Sequence, residues 1–152
     1  MSNRYWEDFK VGERMATACL TITETHIVNF SSLTGDWHPI HTDDEFARHT
    51  VFGGRIAHGP LIFSLAVGLV VMSGIQTNRA IALLGADELK FPSPVRLGDT
   101  IYVEVEVMGK RETRKSGQGV LVLQYTVKNQ KGVTVMTVRM SELVERKCSE
   151  VN

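Results

Sequence analysis

One apolar segment, residues 61–72, constrains the fold more than any other part of the chain. It is interrupted by a single serine and a single glycine and falls short of the roughly 20 residues that a bilayer crossing requires, so we predict a buried helix. Gly59 and Pro60 mark its start, because the N–H that proline lacks would be unpaired there anyway, and Gly74 can end it in the left-handed conformation. A helix that is apolar on all sides must be covered on most of them, and a sheet that curls around it is the natural cover in a small domain.

The second half of the chain carries the strand signals. Ile101, Val103 and Val105 alternate with more polar residues, which is the two-residue period of a strand with one face in water. Other β-rich runs are bounded by turn formers such as Gly132 or by prolines such as Pro92. Consecutive strands usually lie side by side and hence antiparallel. We therefore predict an α+β fold with about five mostly antiparallel strands, at residues 15–22, 81–91, 101–107, 120–127 and 133–144.

The composition fits one ordinary globular domain. The chain has 152 residues, 17 Lys+Arg and 17 Asp+Glu, so its charge gives no reason to expect nucleic acid or a membrane surface as a partner. Cys19 and Cys148 lie at opposite ends without a CxxC motif, and the first ten residues are too polar for a signal peptide. We expect reduced thiols, a cytoplasmic protein, and a single domain over residues 1–152 whose tail, residues 146–152, is frayed.

A short loop rich in ionisable side chains lies between the first strand and the buried helix. Two capping-box patterns predict helices on either side of it, the first capped by Thr21 and the second by Thr42. These helices would span about 24–34 and 43–48. Residues 35–41 are then an irregular loop that is pinned at both ends.

The loop carries Asp36, His38 and His41 next to Pro39, which stiffens the backbone. A turn held by Gly35 and Pro39 can aim Asp36 and His41 at one point. Such a pair could hold a single water, with one partner withdrawing a proton while the other supplies one. The alternative is that Asp36 caps local N–H groups and that the histidines are surface loop residues.

The entry to the buried helix offers a second candidate group. With Pro60 next in the chain, the amide of Gly59 lies at or just before the positive end of the helix. A free N–H there is a natural seat for a developing oxyanion. Alternatively, Gly59 merely permits tight packing at the helix entry.

Together these residues carry a family resemblance. The string Thr34-Gly-Asp-Trp-His-Pro-Ile-His-Thr-Asp-Asp-Glu-Phe-Ala47, followed by Ile56-Ala-His-Gly-Pro-Leu61, resembles the MaoC-like, R-specific enoyl-CoA hydratase family of the hotdog superfamily. The resemblance covers about residues 8–143, including Phe91-Pro-Ser-Pro-Val-Arg-Leu-Gly-Asp99. It implies a single hotdog domain, in which a curled antiparallel sheet wraps around a central helix. It also implies a homodimer, open to further assembly, with pockets near the subunit interface.

The resemblance further implies an activity, the reversible hydration of 2-enoyl-CoA thioesters or the dehydration of 3-hydroxyacyl-CoA. Asp36 matches the family's catalytic aspartate, His41 its catalytic histidine, and Gly59 the glycine whose amide binds the thioester oxygen. The expected reaction needs no metal or redox cofactor, because coenzyme A belongs to the substrate.

Three further residues, His38, His58 and Ser64, are assigned to substrate binding. His38 stands where the family usually has asparagine. Histidine is bulkier than asparagine and titrates near neutrality, so this departure bears on the preferred acyl group and the reaction direction. Val67 stands near a serine of some hydratases, for which Ser64, one turn earlier, could substitute.

Other interpretations stay open. A thioesterase on the same fold would attack the thioester carbon with water, and a non-catalytic subunit would only bind the acyl thioester. Ser64 and His58 imitate part of a nucleophilic triad but lack the G-x-S-x-G elbow. The basic cluster at 110–115 is either a solvated hairpin tip or a coenzyme A phosphate contact. A metal site could draw its nitrogen and oxygen ligands from Asp36, His38, His41, Asp43, His49 or His58.

Overall fold

The computed structural model describes residues 2–114 and 117–147. Within these ranges it has the α+β architecture that the sequence predicts. In chain order the elements are a 3-10 turn Trp6–Asp8, β1 Arg14–Ala16, β2 Leu20–Thr21, α1 Glu24–Thr34, α2 Pro39–Thr42, α3 Asp44–Arg48, α4 Gly59–Met72, β3 Ala80–Lys90, β4 Thr100–Glu112, β5 Gln118–Asn129 and β6 Thr134–Glu145.

The strands form one antiparallel sheet in the order β1-β4-β5-β6-β3, with β2 also paired to β4. The described residues hold six strands rather than about five, because the stretch 15–22 is divided. At the division, Thr17 donates its N–H to the Val103 carbonyl and accepts the Val103 N–H on its Oγ1, at 3.0 Å each. The side chain of Thr17 thus replaces a backbone partner, and β1 and β2 pair with β4 separately.

The core lies on the inner face of the long strands. The alternation read in residues 101–107 is confirmed, with Val103 and Val105 at most 1% exposed. Tyr125 of β5 lies in register with Val105, and Val138 of β6 lies in register with Tyr125. Burying a large apolar side chain contributes about 1.5–3 kcal/mol relative to leaving it exposed. Packing of a helix against this face therefore stabilises the folded protein.

The helix α4 packs on that face. It begins at Gly59 and Pro60 as predicted, and Gly74 behind it has a left-handed φ of 72°. Met72, the last residue of the helix, is 86% exposed. No helix within residues 2–114 and 117–147, α4 included, is long and apolar enough to cross a membrane. The buried residues of α4 follow helical spacing and are Leu61, Ile62, Ala66, Leu69 and Val70.

The start of α1 differs from the predicted capping box. Thr21 belongs to β2, where it lies opposite Thr100, so it is not free to cap a helix. Thr23 is the N-cap instead, and its N–H donates to Nδ1 of His26 at 3.0 Å. The end of α1 is as predicted, with Gly35 in the left-handed conformation at φ 78°.

The predicted loop 35–41 contains one turn of helix, α2, with Pro39 at its first position. Thr42 ends this turn, so the prediction that it caps the next helix is wrong. Asp43 caps α3 instead, its carboxylate accepting the Phe46 N–H at 3.0 Å. The short turn matters because it fixes the orientation of the histidine that it carries.

The beginning of the predicted frayed tail is tied down. Arg146 Nε donates to Glu7 Oε1 at 2.9 Å, and Lys147 Nζ donates to Asp8 Oδ1 at 2.6 Å. Both residues thus hold the N-terminal 3-10 turn. Cys148 and residues 149–152 lie outside the described residues.

The basic cluster at 110–115 is also partly held by the N-terminal segment and partly outside the described residues. Lys110 Nζ donates to the Phe9 carbonyl at 2.8 Å and lies 4.2 Å from the centre of the Trp6 ring. Lys110 therefore fastens the N-terminal segment to β4 and is not at a solvated tip. Lys115 lies outside the described residues.

Candidate active site

The loop brings three predicted residues together. Asp36, His41 and His58 each offer one nitrogen or oxygen atom, and these atoms lie within 4.8 Å of one another. A water that hydrogen-bonds two groups at about 2.8 Å each spans such a distance. The aspartate and histidine of the loop therefore point to a common space.

Local hydrogen bonds hold the loop in this shape. Asp36 Oδ1 accepts the His38 N–H at 3.2 Å, and His38 Nδ1 accepts the Ile40 N–H at 3.2 Å. One carboxylate oxygen of Asp36 thus caps a local N–H, as the alternative interpretation predicts. The second oxygen has no hydrogen-bond partner among the described residues.

The ring of His41 has a defined orientation. Its Nδ1 lies 2.7 Å from the carbonyl oxygen of Ile56, and a carbonyl only accepts, so Nδ1 carries the hydrogen and Nε2 of the neutral ring is bare. Burial lowers the pKa of His41 from its ordinary value, outweighing the opposite effect of the Ile56 hydrogen bond. His41 is therefore a neutral acceptor near pH 7.

Gly59 and His41 line the same cleft. The cleft has a volume of about 340 Å³, and Phe52, Ile62 and Phe91 contribute to its apolar walls. The N–H of Gly59 is at the first position of α4 and has no partner among the described residues, as helix geometry requires. The packing alternative is supported, because a Cβ on Gly59 would lie 3.1 Å from atoms of the Phe91 ring.

A larger groove of about 500 Å³ lies elsewhere, between β1 and the adjoining parts of β4 and β5. Its lining includes Arg14, Glu104 and Glu106, of which Arg14 and Glu106 form an ion pair at 3.1 Å. This lining contains neither a histidine nor a helix-end amide. We therefore place the candidate active site in the smaller cleft.

His58 lies behind the site rather than on its surface. It is completely buried, and its ring stacks on the His41 ring with centroids 3.8 Å apart. Its Nε2 lies 3.0 Å from the backbone oxygen of Asp36. This burial does not suit the substrate contact that the sequence assigns to it.

The other two residues assigned to substrate binding lie on the surface. His38 caps α2, and its ring centroid is 6.2 Å from that of His41. Ser64 is exposed and donates its hydroxyl to the Pro60 carbonyl at 2.9 Å, so it is not joined to His58 as a triad would require. Among the described residues, Ser64 does not line the cleft of His41 and Gly59.

Asp36, His41 and His58 are also the candidate metal ligands that lie close together. One ring nitrogen of each histidine lies against a backbone carbonyl, that of Ile56 for His41 and that of Asp36 for His58. Of the more distant candidates, Asp43 caps α3, and His49 Nδ1 lies 2.8 Å from the Glu45 carbonyl. Each of these groups has a structural partner of its own.

Residues 8–129 match the MaoC like domain family. The chain belongs to this family. Protein MaoC of Klebsiella aerogenes is 39% identical to it over 112 residues, which are 74% of this chain but 32% of that protein. An (R)-specific enoyl-CoA hydratase of Rhodospirillum rubrum is 38% identical over 106 residues, covering 69% of this chain and 70% of that protein. The chain thus spans about a third of the first relative and most of the second.

Solved structures agree with the membership. A MaoC-like dehydratase from Rhodospirillum rubrum superposes with a TM-score of 0.88 at 30% identity, over 97% of this chain and 100% of that one. A Mycobacterium tuberculosis protein with a double hotdog fold matches 99% of this chain and 46% of its own at a TM-score of 0.86 and 22% identity, which bears on the fold alone. The predicted hotdog fold is confirmed.

Two parts of this MaoC-like site were not predicted from the sequence. The Ile56 carbonyl that orients His41 is a backbone group, so the residue type at position 56 does not predict it. Phe91 was noted as part of the family resemblance, but its place against Gly59 depends on how the segment after β3 returns to the start of α4. The double proline at 92 and 94 was the available signal that this segment leaves the sheet.

Proposed function

We propose that this chain catalyses the reversible addition of water to a 2-enoyl-CoA thioester, with dehydration of the 3-hydroxyacyl-CoA as the reverse reaction. The observations that carry the proposal are that Asp36 and His41 lie close enough to share a water, and that His41 lines the same cleft as the free Gly59 N–H. The name of the Rhodospirillum rubrum hydratase, a relative over most of its length, supports the same activity.

The two acceptors define how a water would bind. An ionised Asp36 and the bare Nε2 of His41 each accept a hydrogen bond, so one water donates both of its protons to them. Its lone pairs are then turned outward, toward the β-carbon of the substrate. This orientation is what nucleophilic addition needs.

The proposed proton transfers involve only the water, the two side chains and the substrate. Asp36 takes a proton from the water as the oxygen forms its bond to the β-carbon and the C=C π bond breaks. That proton passes from Asp36 to the bare Nε2 of His41 and from there to the α-carbon on the same face, so that both side chains end in their starting states. The product has gained one water across the double bond.

The Gly59 amide completes the chemistry. As the β-carbon is attacked, negative charge develops on the thioester oxygen, and an N–H at the positive end of α4 stabilises it. Losing one such donor costs other enzymes about 3 kcal/mol of transition-state stabilisation. A backbone donor cannot be removed by a side-chain substitution, so its contribution is tested through geometry.

The cleft favours an acyl group without charge. Apart from His41, no titratable side chain is among its described lining residues. A free carboxylate buried there would lack a partner, and an unpaired buried charge is strongly unfavourable. We assign to this site a 2-enoyl group that carries no second carboxylate.

A second copy of the chain is the proposed partner. The strand β3 is at the end of the sheet, and Ile81, Leu83, Leu84 and Leu89 on it are 40–54% exposed. A long apolar edge of this kind is a ready site for pairing, and closed two-fold pairing is the commonest solution. Phe91, just after β3, lines the cleft, so the homodimer would have its pockets beside the interface.

The test measures two products at once. Incubated with crotonyl-CoA, the protein should lower the absorbance of the conjugated double bond until equilibrium is reached, without releasing thiol. An enoyl-CoA with a free carboxylate on the acyl group should react far more slowly. Thiol release matching the absorbance loss would identify a thioesterase, and binding without either change would identify a non-catalytic subunit; both results contradict the proposal.

A further inference from the structure

His58 is the point where the elements around the proposed site meet. It is completely buried and is the N-cap of α4, directly before Gly59. Its Nε2 lies 3.0 Å from the Asp36 backbone oxygen and 3.3 Å from the hydroxyl of Ser31 in α1. Its ring lies between those of Phe30 and His41, with centroid distances of 5.0 and 3.8 Å.

The hydrogen bonds of His58 determine its tautomer. The Asp36 carbonyl only accepts, so Nε2 must carry a hydrogen. The opposite nitrogen, Nδ1, is buried and has no hydrogen-bond partner among the described residues. A second hydrogen on Nδ1 would therefore be a buried donor without an acceptor, which is costly. The contacts therefore favour the tautomer with its hydrogen on Nε2.

This tautomer is the opposite of the one at His41. His41 carries its hydrogen on Nδ1, toward Ile56, and His58 carries it on Nε2, toward Asp36. Two neutral rings can stack at 3.8 Å without the repulsion that two imidazolium ions would suffer. The bare Nε2 of His41 therefore faces the proposed water, and the bare Nδ1 of His58 faces the protein interior.

We propose that His58 is a positioning residue, which holds Asp36 through its carbonyl and His41 through its ring, so that both side chains share one water. This assignment replaces the substrate contact that the sequence suggested and rests on the proposed hydratase function. His58 touches neither the water nor the substrate. Its effect on the rate comes from the placement of two other residues.

The first test does not depend on activity. With ¹⁵N-labelled histidine, NMR resolves the tautomer of each of the five histidines, and His→Gln variants assign the signals. The expected result is a His58 with its hydrogen on Nε2 and a bare Nδ1. A His58 that carries its hydrogen on Nδ1 overturns the proposal even if no thioester is turned over.

The second test compares two replacements. His58→Gln keeps an N–H donor at the reach of Nε2, whereas His58→Phe keeps a ring against His41 but has no donor. We expect His58→Phe to lower kcat about 100-fold, as misplacement of reacting groups by about 1 Å does, with KM changed far less, and His58→Gln to recover most of kcat. His49→Gln, at an exposed histidine hydrogen-bonded within its own helix end, is the matched control and should leave both constants unchanged.

The outcomes separate the two proposals. A wild-type protein that hydrates no enoyl thioester defeats the proposed function, and the NMR result alone then decides the role of His58. A folded His58→Phe protein with wild-type kcat defeats the positioning role while the hydratase function stands. Equal losses of kcat in the Gln and Phe variants would also contradict it, because the donor would then be irrelevant.

Discussion

The Nδ1 atom of His41 lies 2.7 Å from the carbonyl oxygen of Ile56. Ile56 forms an isolated antiparallel bridge with Arg96, and the next residue, Ala57, donates its N–H to Val95 at 2.8 Å. The carbonyl is therefore held by backbone bonds that do not depend on a side-chain rotamer. It fixes the tautomer of His41 and, with it, the nitrogen that is available for a proton.

The pH dependence of hydration follows from this environment. Burial lowers the pKa of His41, and the bare Nε2 is the form that the proposed reaction needs. Activity should therefore persist to more acidic pH than a free histidine would allow. We expect the acid limb of kcat/KM to have its midpoint below about 6.5, the ordinary pKa of histidine. A midpoint above that value would contradict the assigned state of His41.

The packing of Phe91 on Gly59 can be tested by a pair of substitutions. In Gly59→Ala the amide is kept, but the new Cβ would lie 3.1 Å from the Phe91 ring, and such overpacking costs about 1–3 kcal/mol. We expect a lower kcat because the α4 entry shifts. Adding Phe91→Ala makes room and should restore part of kcat; a double variant no better than Gly59→Ala would show that the contact is not the cause.

Glu142 gives a prediction about stability. It is 5% exposed and accepts the Tyr125 hydroxyl at 3.3 Å, and burial raises its pKa against the opposing hydrogen bonds from Tyr125 and Gln76. The folded protein thus holds this proton more tightly than the unfolded chain does. The resulting stabilisation is complete below the unfolded pKa of about 4.3 and is lost as the pH rises through the folded pKa.

Glu142→Gln keeps the shape of the side chain and removes its charge. As the pH rises from about 5 to 8, the free energy of unfolding of the variant should fall less than that of the wild type, as measured by urea denaturation. An identical pH dependence in the two proteins would mean that Glu142 does not titrate in this range.

The edge strand β3 gives a prediction about assembly. Leu83 on β3 is 54% exposed, and in the proposed homodimer it would be covered. Leu83→Glu should therefore shift the sedimenting species from dimer to monomer. Val51→Glu is the matched control, since Val51 is 96% exposed in a turn and its charge should leave the dimer intact. A wild-type protein that sediments as a monomer would contradict the pairing.

The sequence predicts the parts of the fold that depend on local pattern. The alternation in residues 101–107 gives β4, and the Gly-Pro pair before an apolar run gives the start of α4. The predicted capping boxes at Thr21 and Thr42 were wrong. Thr21 pairs with β4 as part of β2, and Thr42 is the last residue of α2, so neither residue is an N-cap. Local patterns of this kind compete, and tertiary pairing decides between them.

The site was predictable where it rests on a motif and not where it rests on burial. Asp36, His41 and Gly59 were named from the loop and the helix entry; the structure brings Asp36 close to His41 and puts His41 and Gly59 on one cleft, while their catalytic roles stay a prediction. The role of His58 could not be read in the same way. Its sequence position beside Gly59 is equally compatible with a surface ligand, and only the packing of Phe30 and His41 shows that the ring faces inward.

The most direct test of the account is the rate of crotonyl-CoA hydration by Asp36→Asn and His41→Ala, each compared with the wild type under the same conditions. Circular dichroism should show that both variants remain folded. Because a positioned acid or base contributes about 100-fold or more to a rate, we predict that each substitution lowers kcat by at least that factor. Wild-type kcat in either folded variant would contradict the claim that these two side chains share one water.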